Sequence, residues 1–161
     1  MTDPTVDAET RLQIDAARLW RSLMDLARIG ETPLGGVRRI TLTDLDRQGR
    51  DKVVEWFRAA GLEVRVDAIG NIFGRRAGRD PSRPPVVAGS HIDSQPSGGK
   101  FDGAYGVLAG LEVVRTLNDR SVRTEAPIDQ VLDTRYADTA NKIVGPFKLE
   151  NTADTKPGCG K

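Results

Sequence analysis

Apolar residues recur at three- and four-residue steps from Val6 to Ile29, with Leu12, Ala16, Leu19, Leu23 and Leu26 in one stripe. Arg and Asp fill the positions between, which predicts an amphipathic helix that Gly30 stops. After a glycine-containing loop, Pro33 to Gly36, the run Thr43-Asp-Leu-Asp46 resembles a helix-capping box with Asp where Glu is usual. The helix it opens carries Val53, Val54, Trp56, Phe57 and Ala60 and ends at Gly61. The period then changes from helical to two. Leu62-Glu-Val-Arg-Val-Asp67 alternates apolar with polar, the pattern of a half-buried strand. Gly70-Asn71 can turn the chain, and Ile72-Phe73 begins a returning strand.

The segment from Arg75 to Pro85, rich in Arg, Gly and Pro, is expected as a surface loop, with Arg75, Arg76, Arg79 and Arg83 solvated. Pro85-Val-Val-Ala-Gly89 suits a short buried strand. Beyond Gly103, residues Val107, Leu108, Leu111, Val114 and Leu117 fall at helical spacing, a core-packing stripe. Ala126 to Leu132 is read as one more strand. The order of strand, loop, helix and strand predicts an α/β fold over residues 1–132. Residues 133–161 have few large apolar side chains and close on Lys156-Pro-Gly-Cys-Gly-Lys161, so a disordered tail is expected there. Trp20 and Trp56 are read as core and Glu112 as solvated.

Composition narrows the functional classes. Of 161 residues, 38% are hydrophobic and 29% charged, with a net charge of +1, so nothing favours nucleic acid or an anionic membrane as partner. No apolar run is long enough to span a bilayer, and the acidic, polar start Met1-Thr-Asp-Pro-Thr-Val-Asp does not read as a secretory signal. The single cysteine, Cys159, has no internal disulfide partner, which fits a reducing cytoplasm. It also has no base nearby in sequence to make it a nucleophile.

The chemistry concentrates in Gly89-Ser-His-Ile-Asp-Ser-Gln-Pro-Ser-Gly-Gly-Lys-Phe-Asp-Gly103, which holds the chain's only histidine, His91, together with Asp93 and Asp102. An imidazole and a carboxylate can ligate one divalent metal while a second carboxylate orients the imidazole from behind. Ligands of open α/β sheets gather beyond the carboxyl ends of strands, where His91 is expected. Two residues after His91, Asp93 can reach the ring nitrogen turned away from a metal. Eleven residues on, Asp102 can bridge two metals about 3.5–4 Å apart, and Gly103 after it permits close backbone approach. The bland alternative is a hydrogen-bonded structural histidine, the commoner role of a lone His at a strand end. A phosphate-loop reading of Gly99-Lys100 fails, because Ser94 stands where the pattern needs glycine.

From about Gly35 to Pro127 the chain resembles the zinc-dependent amidase and carbamoylase branch of the M20 metallopeptidase family. Its members include N-carbamoyl-L-amino-acid hydrolases, β-ureidopropionases and allantoate amidohydrolases. The resemblance is carried by Asp67-Ala-Ile-Gly-Asn-Ile-Phe-Gly74, by the His91–Gly103 run, and by Gly103-Ala-Tyr-Gly-Val-Leu-Ala-Gly-Leu-Glu-Val-Val-Arg-Thr-Leu-Asn118. It implies the N-terminal part of a zinc-aminopeptidase-like catalytic domain, a mixed sheet flanked by helices. It further implies a homodimer that hydrolyses linear C–N bonds of small ureido or amide substrates with two zinc ions, manganese being the alternative. Carried over by position, His91 ligates one metal, Asp102 bridges both, and Asp93 orients His91.

The resemblance also predicts a Glu-Glu pair, general base and metal ligand, near positions 136 and 137, where Tyr136 and Ala137 stand instead. No histidine follows His91. Asp133 and Asp138 have no spacing that would make either a substitute base. Divergence sets in near Asp129, as in a truncated or frameshifted gene. The chain alone is therefore expected to be inactive. The alternative is a non-catalytic half-domain that binds another subunit through an exposed sheet edge.

Overall fold

The computed structural model describes residues 12–134, in the order α1 (Ala16–Ala27), α2 (Asp44–Ala59), β1 (Glu63–Val66), β2 (Ile72–Arg76), β3 (Val86–Ser90), α3 (Ala104–Asp119) and β4 (Ile128–Leu132). The four strands form one mixed sheet in the order β1-β2-β4-β3. Both β1–β2 and β2–β4 are antiparallel, while β3 and β4 run parallel with α3 as their crossover. This is the α/β architecture expected from the sequence, with a mixed sheet and helices packed against it.

Local chemistry sets each boundary. The Oδ1 of Asp15 accepts from the backbone N–H of Arg18 at 2.8 Å and caps α1. Its own N–H donates to Glu112 Oε1, so the helix starts at Ala16 rather than Val6. Leu12 and Ile14 are exposed, and Val6 lies outside the described residues. In α2, Thr43 Oγ1 accepts from Asp46 N–H, the expected N-cap. Asp46 reaches one residue further back than a standard box and accepts from Leu42 N–H at 3.1 Å. The turn between β1 and β2 is closed by Asp67, which accepts from the backbone N–H groups of Ile69 and Asn71 and from the Asn71 side chain.

Leu19, Leu23 and Leu26 of α1, Val53 and Phe57 of α2, and Val107, Leu108, Leu111 and Val114 of α3 close over Ile72 and Leu132 in one core. Each fully buried side chain of this kind contributes roughly 1.5–3 kcal/mol. By the strand register, Phe73, Arg75, Asp129, Val131 and Val87 share the opposite face. There the Arg65 guanidinium stacks over the Phe73 ring, and Arg75 pairs with buried Asp129 through two 2.7 Å bonds.

Several expectations are corrected. Trp20 is not core: it is 55% exposed and tilted against Phe101. Trp56 lies half-buried beside the core, with the Lys52 ammonium over its ring. The strand β3 is not buried either, since it lies at the sheet edge among the described residues and both Val86 and Val87 are 62% exposed. Arg75 and Arg76 belong to β2 and are bonded to Asp129 and Asn118, so the surface loop starts after them. Asp133 and Thr134 donate backbone N–H groups to Ser90 O and Asn71 Oδ1. The rest of the expected tail, Cys159 and positions 136–138 included, lies outside the described residues.

Glu112 is the largest correction. It is 1% exposed and accepts from Arg18 Nε at 2.8 Å, Arg18 Nη2 at 2.7 Å and Asp15 N–H. Helical periodicity could not show this, because the partners sit on another helix. Glu112→Ala is expected to cost about 3 kcal/mol, the lower end for breaking a buried pair. Arg18 keeps Asp119 and is a quarter exposed. A chemical-denaturation midpoint unchanged from the parent would refute this.

Candidate active site

His91 and Ile92 leave the C-terminal end of β3 and are both buried. The imidazole Nδ1 lies 3.0 Å from Asp93 Oδ1 and 3.1 Å from Asp93 O. Both neighbours are acceptors when the carboxylate is ionised, so Nδ1 carries the proton and the neutral ring keeps its lone pair on Nε2. The contact is made in the irregular segment that follows β3. Burial alone would push the Asp93 carboxyl up. The bonds from His91 and from Thr41 Oγ1, at 2.9 Å, outweigh it and hold Asp93 below the ordinary carboxylate range.

The Nε2 edge of His91 faces the turn that opens α3. Gly103 has φ +65°, and a Cβ placed there would lie 2.5 Å from His91 Nε2 and 2.5 Å from His91 O. Only glycine permits this approach of backbone to ring. Exposed Asp102 immediately precedes it. The structure thus brings His91 and Asp93 into contact and sets the Asp102 turn beside the opposite ring edge.

The resemblance implies a metal. The tautomer fixed by Asp93 leaves Nε2 as the coordinating nitrogen, and glycine at 103 spares it a Cβ at 2.5 Å. These features fit metal ligation by His91, and exposed Asp102 stands in the turn next to Gly103. They fit part of a site. Among the described residues no group of three or more His, Cys, Asp or Glu is placed to hold a metal ion, whereas catalytic zinc takes three protein ligands.

A strap behind the site has no signature in the sequence. Residues 37–46 run beside the His91 loop, with backbone bonds exchanged between Val37 and Gly98. Arg39 N–H donates to Ser94 Oγ, and Ser94 N–H donates to Arg39 O. The Arg39 side chain is 2% exposed and donates to Ile92 O at 2.8 Å, Leu26 O at 3.0 Å and Ile29 O at 2.7 Å. Burial pulls its pKa down, while the charges of Asp46 and Asp93 oppose that fall. No periodicity flags an inward arginine in a loop.

No family model matches the sequence. The chain is 52% identical over 116 residues to the N-carbamoyl-L-amino-acid amidohydrolase of Rhizobium meliloti, covering 72% of this chain and 28% of that enzyme. It is 35% identical over 130 residues to the ureidoglycolate hydrolase of Arabidopsis thaliana, covering 81% and 27%. The crystal structure of a hydantoinase/carbamoylase family amidase from Burkholderia ambifaria superposes with a TM-score of 0.74 at 63% identity, over 75% of this chain and 30% of that one. The chain therefore spans less than a third of the length of these relatives.

Proposed function

We propose that this chain, which belongs to the hydantoinase/carbamoylase family of amidases, supplies the His91–Asp93–Asp102 part of an active site that hydrolyses linear C–N bonds of ureido or amide substrates. The observation that carries the reading is the Asp93-fixed tautomer of His91, which turns Nε2 towards the glycine-walled Asp102 turn. Relatives named for N-carbamoyl-L-amino acids and for ureidoglycolate support a carbamoyl or ureido carbonyl as the group attacked.

His91 and Asp102 would hold zinc, with manganese as the alternative and a second ion shared through Asp102. Bound there, the metal supplies Lewis-acid polarisation and a water made acidic enough to attack at neutral pH. The residues of this chain perform the supporting work. Asp93 keeps the proton on Nδ1 and holds the ring in place, and Gly103 leaves room at Nε2. The remaining ligands and the general base must come from outside residues 12–134. A dimer and a cytoplasmic location belong to the same proposal. Among the described residues no helix is long and apolar enough to cross a membrane.

Calorimetric titration with zinc tests the donor assignment. The 161-residue chain is expected to take up zinc, and His91→Ala and Asp102→Ala are each expected to abolish it. Asp93→Asn is expected to weaken uptake on the order of 10–100-fold, as loss of an outer-shell partner does. Uptake that persists in both ligand variants would sink the assignment.

A second reading rests on the outer edge of β3, which pairs with no strand among the described residues and exposes Val86 and Val87. An open apolar edge favours association through strand pairing. Under that reading the chain elutes as an assembly in size-exclusion chromatography with light scattering. A monodisperse monomer would count against it.

A further inference from the structure

The strap that carries Arg39 also delivers a hydroxyl to the second oxygen of the orienting carboxylate. Asp93 spends Oδ1 on His91 Nδ1 and receives Thr41 Oγ1–H on Oδ2. The next residue, Leu42, has φ +65° and is 79% exposed, a left-handed conformation that leucine seldom adopts. No core contact accounts for it at such exposure. Its N–H is held by Asp46, a buried carboxylate in the first turn of α2. Strained backbone persists where its surroundings over-determine it, and this is a common feature of functional sites.

We propose that Thr41 is a positioning residue for the His91–Asp93 pair, held in place by the Leu42 turn and its Asp46 anchor. Carboxylate torsions are broad and roughly two-fold, so a single bond from His91 leaves Asp93 free to rock about its terminal torsion. With Thr41 on Oδ2, Oδ1 is pinned at the imidazole and the Nδ1–H tautomer is selected. The inference deepens the proposed function and rests on its reading of Nε2 as the metal-facing nitrogen.

The single histidine makes the test direct, because histidine-selective ¹⁵N labelling of the full chain reports one imidazole. At a pH where the ring is neutral, the parent is expected to show the Nδ1–H shift pattern. Thr41→Val and the smaller Thr41→Ala should raise the Nε2–H share severalfold while the amide spectrum stays dispersed, and Thr41→Ser should restore the parent pattern. Unchanged imidazole shifts in both folded variants would overturn the proposal. Loss of the folded spectrum in both would overturn it too, by making Thr41 a general stability residue. Zinc added to the parent separates the two claims. A tautomer that depends on Thr41 in a protein whose imidazole ignores zinc leaves the positioning role standing and removes the metal reading.

Discussion

Arg39→Met is expected to destabilise the fold by about 3–5 kcal/mol, the range for breaking a buried charged network. That is a large part of the roughly 5–15 kcal/mol that holds a typical domain together. Methionine fills similar space but donates nothing, so the carbonyls of Leu26, Ile29 and Ile92 all lose the guanidinium. Each buried acceptor left without a donor costs about 1–3 kcal/mol. Leu26 O is partly spared, because it also accepts from Ile29 N–H at 3.1 Å. Asp46 and Asp93 lose a neighbouring cation as well. Lysine cannot restore the wild-type state, since one ammonium does not reproduce a planar fork with five donors. Urea denaturation of parent, Arg39→Lys and Arg39→Met should therefore give three ordered midpoints. Coincident midpoints for parent and methionine variant would show that the three carbonyls find other partners at little cost.

The second large effect is predicted at Gly103, and it falls on the site. Gly103→Ala imposes a Cβ on a residue at φ +65°, against His91 Nε2 and the His91 carbonyl. Backbone strain and overpacking together cost about 1–3 kcal/mol. The ring must also move away from the position that Asp93 fixes, or the first turn of α3 must shift. Zinc uptake should fall on the order of 100-fold, as far as any outer-shell change is expected to lower it, because the substitution fills the space in front of the coordinating nitrogen. A crystal structure or single-histidine spectrum showing His91 undisturbed in Gly103→Ala would refute this account of the glycine.

The pattern of the sequence located the helices and strands because burial imposes a period. Leu19, Leu23 and Leu26 repeat with the turns of α1, whereas in β1 the expected half-buried alternation is not met: only Val64 is partly covered and Val66 is 59% exposed. What the pattern could not show was where chain segments distant in sequence meet. Glu112 looked solvated on its own helix and is buried by Arg18 of another. Val86 and Val87 looked like a buried strand, yet among the described residues their strand lies at one edge of the sheet. Trp20 sits on an outer surface, although its size alone suggested core.

The site was legible to a similar depth. His91, Asp93 and Asp102 stand close in sequence and could be singled out by residue type. Thr41, Arg39 and Asp46 could not, since the strap reaches the His91 loop only through the fold: Thr41 and Asp93 are 52 positions apart. Gly103 was legible as a close-approach glycine, but the object approached, the His91 ring, was visible only in three dimensions.

In the function proposed, His91 offers Nε2 to a metal shared with Asp102 while Asp93 keeps the proton on Nδ1. Zinc titration of the ¹⁵N-histidine-labelled 161-residue chain, beside Asp102→Ala, tests it most directly. The parent's Nε2 resonance should move with zinc while Nδ1 keeps its proton, and the response should disappear in Asp102→Ala. A zinc response at Nδ1, or one that Asp102→Ala leaves intact, would contradict it.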